Sequence, residues 1–349
     1  MIILVYFSCS SSAKDDLRRN LLQSWGEDVV VANGRLIEEQ AEDLYVQHQV
    51  FCEAPDEQGL EQLRSSWWKA RGYWKEIEVF KFGPYKDEWR LGPKIDFWPV
   101  RVETIEELIA GDSDLTPESL YGYGASSKGF PVLDYLLYNE QALERMTTDD
   151  RYCQLSVSVS AELKTRVLEF TDEWDPQKGN YLAQLTEAGY ATSSYPSLQH
   201  SLAEVVNRMG HTVENIRIDK LYTPMGVDIG STQPDKLESP YSGRSFEDIV
   251  DNLRGIQKLY EGAQVSGALG LKDLLQDGGH DYDEAFLGQI QICVDSIEAY
   301  EEPLISVIET DQEALLSTSE KLRDLQSLIQ TDIMGALSLW VSFNDTDGD

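Results

Sequence analysis

A few charged side chains sit at spacings that could build a binding or metal site. Arg71, Lys75 and Glu78 lie within two helical turns of each other, and Asp96 and Arg101 follow a run of aromatic and Gly/Pro corners. A second group is the joint Gly129-Phe130-Pro131-Val132-Leu133-Asp134, where a Gly/Ser-rich stretch meets an apolar run. Pro131 suits the first turn of a helix, where its missing N–H costs nothing, and Asp134 then lies where the macrodipole favours a carboxylate. Plain capping also accounts for that hexapeptide. Glu78, Asp96 and Asp134 together would make an oxygen-rich donor set, suited to a hard cation or Fe(III) rather than zinc. His200 and Glu204 share a helix face at i, i+4, but an HEXXH zinc site needs a second histidine, so His200 reads as an ordinary surface residue. No GxSxG, GxGxxG or Walker A pattern occurs, which argues against the common hydrolase, dehydrogenase and NTPase chemistries.

The elements that must position these residues are helices. Leu60, Leu63, Trp67, Ala70, Trp74 and Ile77 alternate steps of three and four, giving one continuous face of a helix over about 56–81. Trp67, Trp74 and Trp98 would wall a site, with Arg71 and Glu78 on the flank of that helix. Gly83-Pro84 and Gly92-Pro93 end it. A first helix is expected to start after Asn33 and run to about Glu53, with Leu36, Leu44 and Phe51 inward, and a short one over 104–110. Later stripes are Leu163/Val167/Phe170/Trp174, Leu198/Leu202/Val205/Met209, Phe246/Ile249/Leu253/Ile256 and Leu315/Leu322/Leu325. Ser245 and Asp248 read as an N-cap pattern. No alternating strand pattern recurs, so the fold class is all-α. The polar break at 147–150 suggests a seam. The expected organisation is an N-terminal segment and linker (1–20), a helical domain (21–150) and a second helical domain (151–349).

The chain has 349 residues, with 29 Lys+Arg against 62 Asp+Glu and a formal net charge of −33. So acidic a surface repels nucleic acid and anionic headgroups. No stretch of about twenty apolar residues occurs, so no membrane-spanning helix is expected. The start, MIILVYF followed by Ser8-Cys9-Ser10-Ser11-Ser12, looks like the end of a bacterial lipoprotein signal with Cys9 as the acylated residue, although the run is short and no basic region precedes it. Cys52, Cys153 and Cys293 are far apart and show no CxxC spacing, so each reads as a small buried hydrophobe rather than part of a disulfide or zinc site. The tail Asn344-Asp345-Thr346-Asp347-Gly348-Asp349 has the front half of an oxygen-rich calcium loop, and reads first as a solvated acidic end.

Several segments in shared order resemble the imelysin-like family of bacterial envelope proteins, the insulin-cleaving membrane protease or iron-regulated protein A group. They are Trp67-x-x-x-Arg71-x-x-Trp74-x-x-x-Glu78, Phe82-Gly83-Pro84, Ile95-Asp96-Phe97-Trp98-Pro99 and the run Ser127 to Leu137. Asn207, Lys220-Leu221-x-x-Pro224-x-Gly226, Pro240-Tyr241-Ser242-Gly243 and the end from Phe343 complete the set. The resemblance implies two bundle-like helical domains in an exported, often lipid-anchored protein linked to iron or metal acquisition. It also implies a peptidase label and a GxHxxE motif. Here the motif positions are Gly129, Pro131 and Asp134: proline supplies no donor atom where the family has imidazole.

The expectation is therefore a binding protein of the cell envelope, periplasm or outer membrane, lipid-anchored through Cys9 and without catalysis. Iron or another divalent cation is the expected cofactor or cargo. Other iron-uptake envelope proteins are expected partners; nucleic acid is not, and the membrane is met only through the anchor. The site residues are Trp67, Arg71, Trp74, Glu78, Asp96, Trp98, Arg101, Gly129, Pro131 and Asp134, with Asp134, Glu78 and Asp96 as metal ligands. The alternatives are a metallopeptidase of the imelysin type and a structural, partner-binding surface lipoprotein.

Overall fold

The tryptophan stripe forms a helix because its apolar face repeats at helical period and its start is capped. Asp56 accepts a hydrogen bond from Gly59 N at 2.7 Å, and the helix runs Glu57–Glu76. It ends sooner than the sequence period suggests. Ile77 leaves helical geometry, and a tight turn over Glu78–Phe80 follows. That turn sets the Glu78 carboxylate 3.1 Å from Lys75 Nζ, three residues back.

The computed structural model describes residues 6–87 and 89–342. The side chains of residues 6–12, Cys9 included, and the acidic end from Phe343 lie outside the described set, as do residues 1–5. Among the described residues there is no strand, and none of the helices is long and apolar enough to cross a membrane. The main helices are α1 (Tyr6–Ser24), α2 (Ala32–Glu53), α3 (Glu57–Glu76), α4 (Val102–Ala110), α5 (Gly129–Tyr138), α6 (Asp150–Trp174), α7 (Leu198–Asn215), α8 (Ser245–Glu261), α9 (Asp283–Glu298) and α10 (Gln312–Ser327).

α1 runs into α2 through a wide π turn at Trp25–Val31, so no loop separates them. The inward face of α2 is Ile37, Ala41, Leu44, His48 and Phe51; Leu36, expected inward, is 39% exposed. α3 and α6 both pack along α2, and α3 also packs on α8, while α7, α9 and α10 pack beyond it. One apolar cluster runs through all of these helices. Burial of its large side chains supplies the main driving force, at about 25 cal/mol per Å² of apolar surface.

One expectation is overturned. Cys52 on α2 and Cys153 on α6 form a disulfide, with Cα atoms 5.8 Å apart. Residues 101 apart in sequence meet because the two helices pack side by side, which no local cysteine spacing reveals. Cys293 is buried and free.

Candidate functional site

α3 carries two of its charges, Arg71 and Lys75, on a face that the fold covers completely. Arg71 and Lys75 are fully buried, one turn apart. Arg71 Nη1 meets Asp96 Oδ1 at 2.7 Å, Nη2 meets Asp248 Oδ2 at 2.7 Å, and Nε donates to Ser239 Oγ at 2.8 Å. Lys75 Nζ meets Asp96 Oδ2 at 2.8 Å, Glu238 Oε2 at 2.8 Å and Glu78 Oε2 at 3.1 Å. Lys220 Nζ reaches both Glu78 and Glu238 at 3.1 Å and donates to Asn252 Oδ1 at 2.6 Å. Lys81 Nζ closes on Glu78 Oε1 at 2.8 Å. Arg244 extends the array, pairing with Asp248 and, at 2.5 Å, with Asp251.

Burial works against every charge here, and the neighbours outweigh it. Burial alone would raise the Asp96 carboxyl, but Arg71 and Lys75 hold it below the usual carboxylate range. Glu78 is held well below by Lys220, Lys75 and Lys81 against the same burial, and Asp248 lies low beside Arg71 and Arg244. Lys75 is raised well above its ordinary value, because Asp96, Glu238 and Glu78 overcome its desolvation. Asp96, Glu78, Asp248 and Lys75 are thus held in their charged forms at neutral pH, and removing one member strands its partners.

The sequence-based site residues separate into four places. Arg71, Glu78, Asp96 and Trp98 come together: the Trp98 indole N–H donates to Asp96 Oδ1 at 2.7 Å, and the Arg71 guanidinium lies 5.1 Å from the Trp98 ring centre. Trp67 borders them, 5.9 Å from the Arg71 guanidinium carbon, with its own N–H given to Phe130 O at 3.2 Å. Trp74 turns away into the aromatic core against Tyr85 and Phe170, its indole N–H unpartnered. Arg101 is exposed, stands outside the network, and uses its amide N–H on Ser126 O at 3.1 Å.

The Gly129–Asp134 joint serves a separate task. Gly129 has φ +74°, and a Cβ there would lie 2.2 Å from Ile95 O, so only glycine fits. Pro131 is buried in the first turn of α5. Asp134 is fully buried and accepts Tyr241 N and Ser242 N, each at 3.1 Å. Burial pushes its carboxyl up to about 7, opposed by those donors. Asp134 therefore anchors the 238–244 segment to α5.

The expected three-carboxylate metal set is not assembled. Glu78 and Asp96 share Lys75, whereas Asp134 spends one oxygen on each of two amides. Among the described residues, no group of three or more His, Cys, Asp or Glu side chains is arranged to hold a metal ion. The donor chemistry does not fit a cation bound on these carboxylates, because ammonium and guanidinium groups already hold Glu78 and Asp96, and two backbone amides hold Asp134.

Beside the network is a cleft of about 430 Å³. Trp98, Val100, Val102, Leu237, Pro240 and Tyr241 line it, together with Glu103 and Asp235. Its lining is set by the two buried anchors: Asp96 holds Trp98, and Asp134 holds the Tyr241 amide. Apolar walls with a few polar groups are the usual make-up of a small-ligand site.

Lys220, Glu238, Ser239, Arg244, Asp248 and Asn252 complete the array but are absent from the sequence-based site. The available signal was polarity on an inward face. Asp248 and Asn252 lie one turn apart between Phe246, Ile249, Leu253 and Ile256, where a solvated cap has no place. Ser239 is buried with φ +50°, and its Oγ donates to Asp248 at 2.6 Å, which holds it in an uncommon conformation.

The imelysin family model, which carries a peptidase designation, matches residues 34–330. Iron-regulated protein A of Synechococcus elongatus is 25% identical over 267 residues, covering 76% of this chain and 70% of that one. A crystal structure of an imelysin-like protein from Psychrobacter arcticum superposes with a TM-score of 0.78 at 19% identity, over 94% of this chain and 98% of the other. A Parabacteroides distasonis protein described as an iron-regulated protein A precursor gives 0.74 at 18% identity, over 93% and 94%. The all-helical fold is shared with both structures, and with the family model spanning most of the sequence, this chain belongs to the imelysin family.

Proposed function

We propose that the chain is a non-catalytic binding protein of the bacterial envelope, serving iron or other metal-cation acquisition. Its ligand docks in the cleft between Trp98 and Tyr241 as an organic-faced molecule, such as a chelated metal, rather than as a bare ion on carboxylates. The observation that carries this reading is the full engagement of Glu78, Asp96 and Asp134 by buried cations and amides. A metallopeptidase needs an open coordination position and a basic group free to take a proton. A carboxylate held below its ordinary pKa by several cations is a weak base.

The link to iron draws on the similarity to iron-regulated protein A. The Cys52–Cys153 disulfide supports an oxidising compartment, since such bonds persist mainly outside the reducing cytosol. Attachment through Cys9 and contact with other uptake proteins are parts of the same proposal.

Titration calorimetry tests it. Iron(II), zinc, copper and calcium salts should give no saturable heat, and an iron chelate with an organic shell should give a saturable isotherm that Tyr241→Ala weakens at least tenfold. Chelator-sensitive cleavage of a protein substrate would overturn the reading. So would stoichiometric binding of a free ion that Asp96→Ala abolishes.

A further inference from the structure

A second cavity, of about 360 Å³, is lined from the start of α8 and from the end of α9 with the turn after it. It shares no lining residue with the cleft at Trp98. Phe246, Val250 and Ile297 on its wall are buried, and Tyr300 stacks on Phe246 with ring centres 4.7 Å apart and planes 2° from parallel. The Tyr300 hydroxyl meets Thr318 Oγ1 at 2.9 Å, which holds that ring in place. Four carboxylates, those of Glu247, Glu298, Glu301 and Glu302, also line the cavity, and all four residues are exposed. Buried apolar groups and exposed charges put the carboxylates where solvent enters.

The chain supplies these charges with almost no partner. Arg254 is the one basic residue on the wall, and its guanidinium is already taken by Asp251 Oδ1 at 2.8 Å, with Glu298 Oε1 at 3.9 Å. Glu247, Glu301 and Glu302 form no ion pair among the described residues. Three of the carboxylates also stand at the unfavourable pole of a helix. α9 has 16 residues and no basic residue in its last turn, and Glu298, Glu301 and Glu302 crowd the end where its free carbonyls are already negative. Carboxylates and helix end repel one another until a cation stands between them. A bare metal ion does not meet that need, since no three of these carboxylates are arranged to hold one, and it would leave the apolar wall unused. A cation on an apolar body uses both parts of the cavity.

We propose that this cavity is a second binding site, taking a small organic cation whose ammonium or guanidinium group meets the carboxylates while its apolar body packs against Phe246, Val250, Ile297 and Tyr300.

Titration calorimetry on the full chain at neutral pH and low salt tests this, with 2-phenylethylammonium chloride as the probe. The wild type should bind it saturably, and added salt should weaken the binding. Phenylacetate keeps the body and reverses the charge; ethylammonium keeps the charge and loses most of the body. Each should bind at least tenfold more weakly. Combining Glu247→Gln with Glu301→Gln should lower affinity for the probe at least fivefold with an unchanged or higher melting temperature, because it relieves repulsion. Tyr241→Ala, in the other cleft, should leave this binding as it is. No saturable heat from the wild type would overturn the inference. Equal binding of phenylacetate, or unchanged affinity in the double variant, would do the same. Loss of the probe in Tyr241→Ala would place it in the cleft at Trp98 and overturn the second site.

Discussion

Asp96 divides its two oxygens between Arg71 and Lys75 and accepts the Trp98 indole as well, so one carboxylate ties α3 to the corner at residues 96–98. Removing it strands two buried cations, and Asp96→Ala should cost about 3–5 kcal/mol in urea unfolding. A loss below about 1 kcal/mol would mean that water reaches the array. The pH dependence has two parts of opposite sign. Asp96, Glu78, Glu238 and Asp248 titrate below their ordinary range when folded. Their contribution is in place above roughly pH 4 to 5, and is lost as pH falls through the folded values. Asp134 is raised to about 7, so its protonated form favours the fold; that contribution is complete at low pH and lost as pH rises through 7. The wild-type melting temperature should therefore decline between pH 5 and 8 more steeply than that of Asp134→Asn. Parallel profiles would show that the two amide donors keep Asp134 ionised throughout.

At the scale of elements, helix existence was legible and helix meeting was not. The three-four alternation from Leu60 to Ile77 gives α3 and its buried face directly from sequence. The disulfide was hidden, because Cys52 and Cys153 are joined by the packing of α2 on α6 and by no motif. Cys153→Ser should lower stability by about 2–5 kcal/mol, read as a shift in denaturation midpoint; no shift would mean that the bond is absent in solution. The Gly129 joint was legible as a helix start, but its reason lay elsewhere, in the backbone of Ile95. Gly129→Ala meets both a left-handed φ and that carbonyl, and should destabilise by at least about 1–3 kcal/mol.

For the whole molecule, the family and the helical class were legible from dispersed motifs, while the partners of Arg71 were not. Asp248 lies 177 residues away, and Glu238 and Lys220 lie on other elements, so only the assembled fold shows that the α3 charges are neutralised. By sequence, the tryptophan segment predicts the wall of a site with metal-binding carboxylates at its edge. In the fold Trp74 turns into the aromatic core, Glu78 and Asp96 are fastened to buried cations, and Trp98 lines a cleft together with residues of the 237–241 segment. Stability and recognition should therefore be separable. The most direct measurement is paired binding and melting of Tyr241→Ala and Asp248→Asn, with an organic-shelled iron chelate as the probe. The account predicts that Tyr241→Ala loses at least tenfold in affinity with a near wild-type melting temperature, while Asp248→Asn melts much lower yet binds normally below its transition. Loss of binding in folded Asp248→Asn, with Tyr241→Ala unaffected, would place the ligand on the charge network and contradict it.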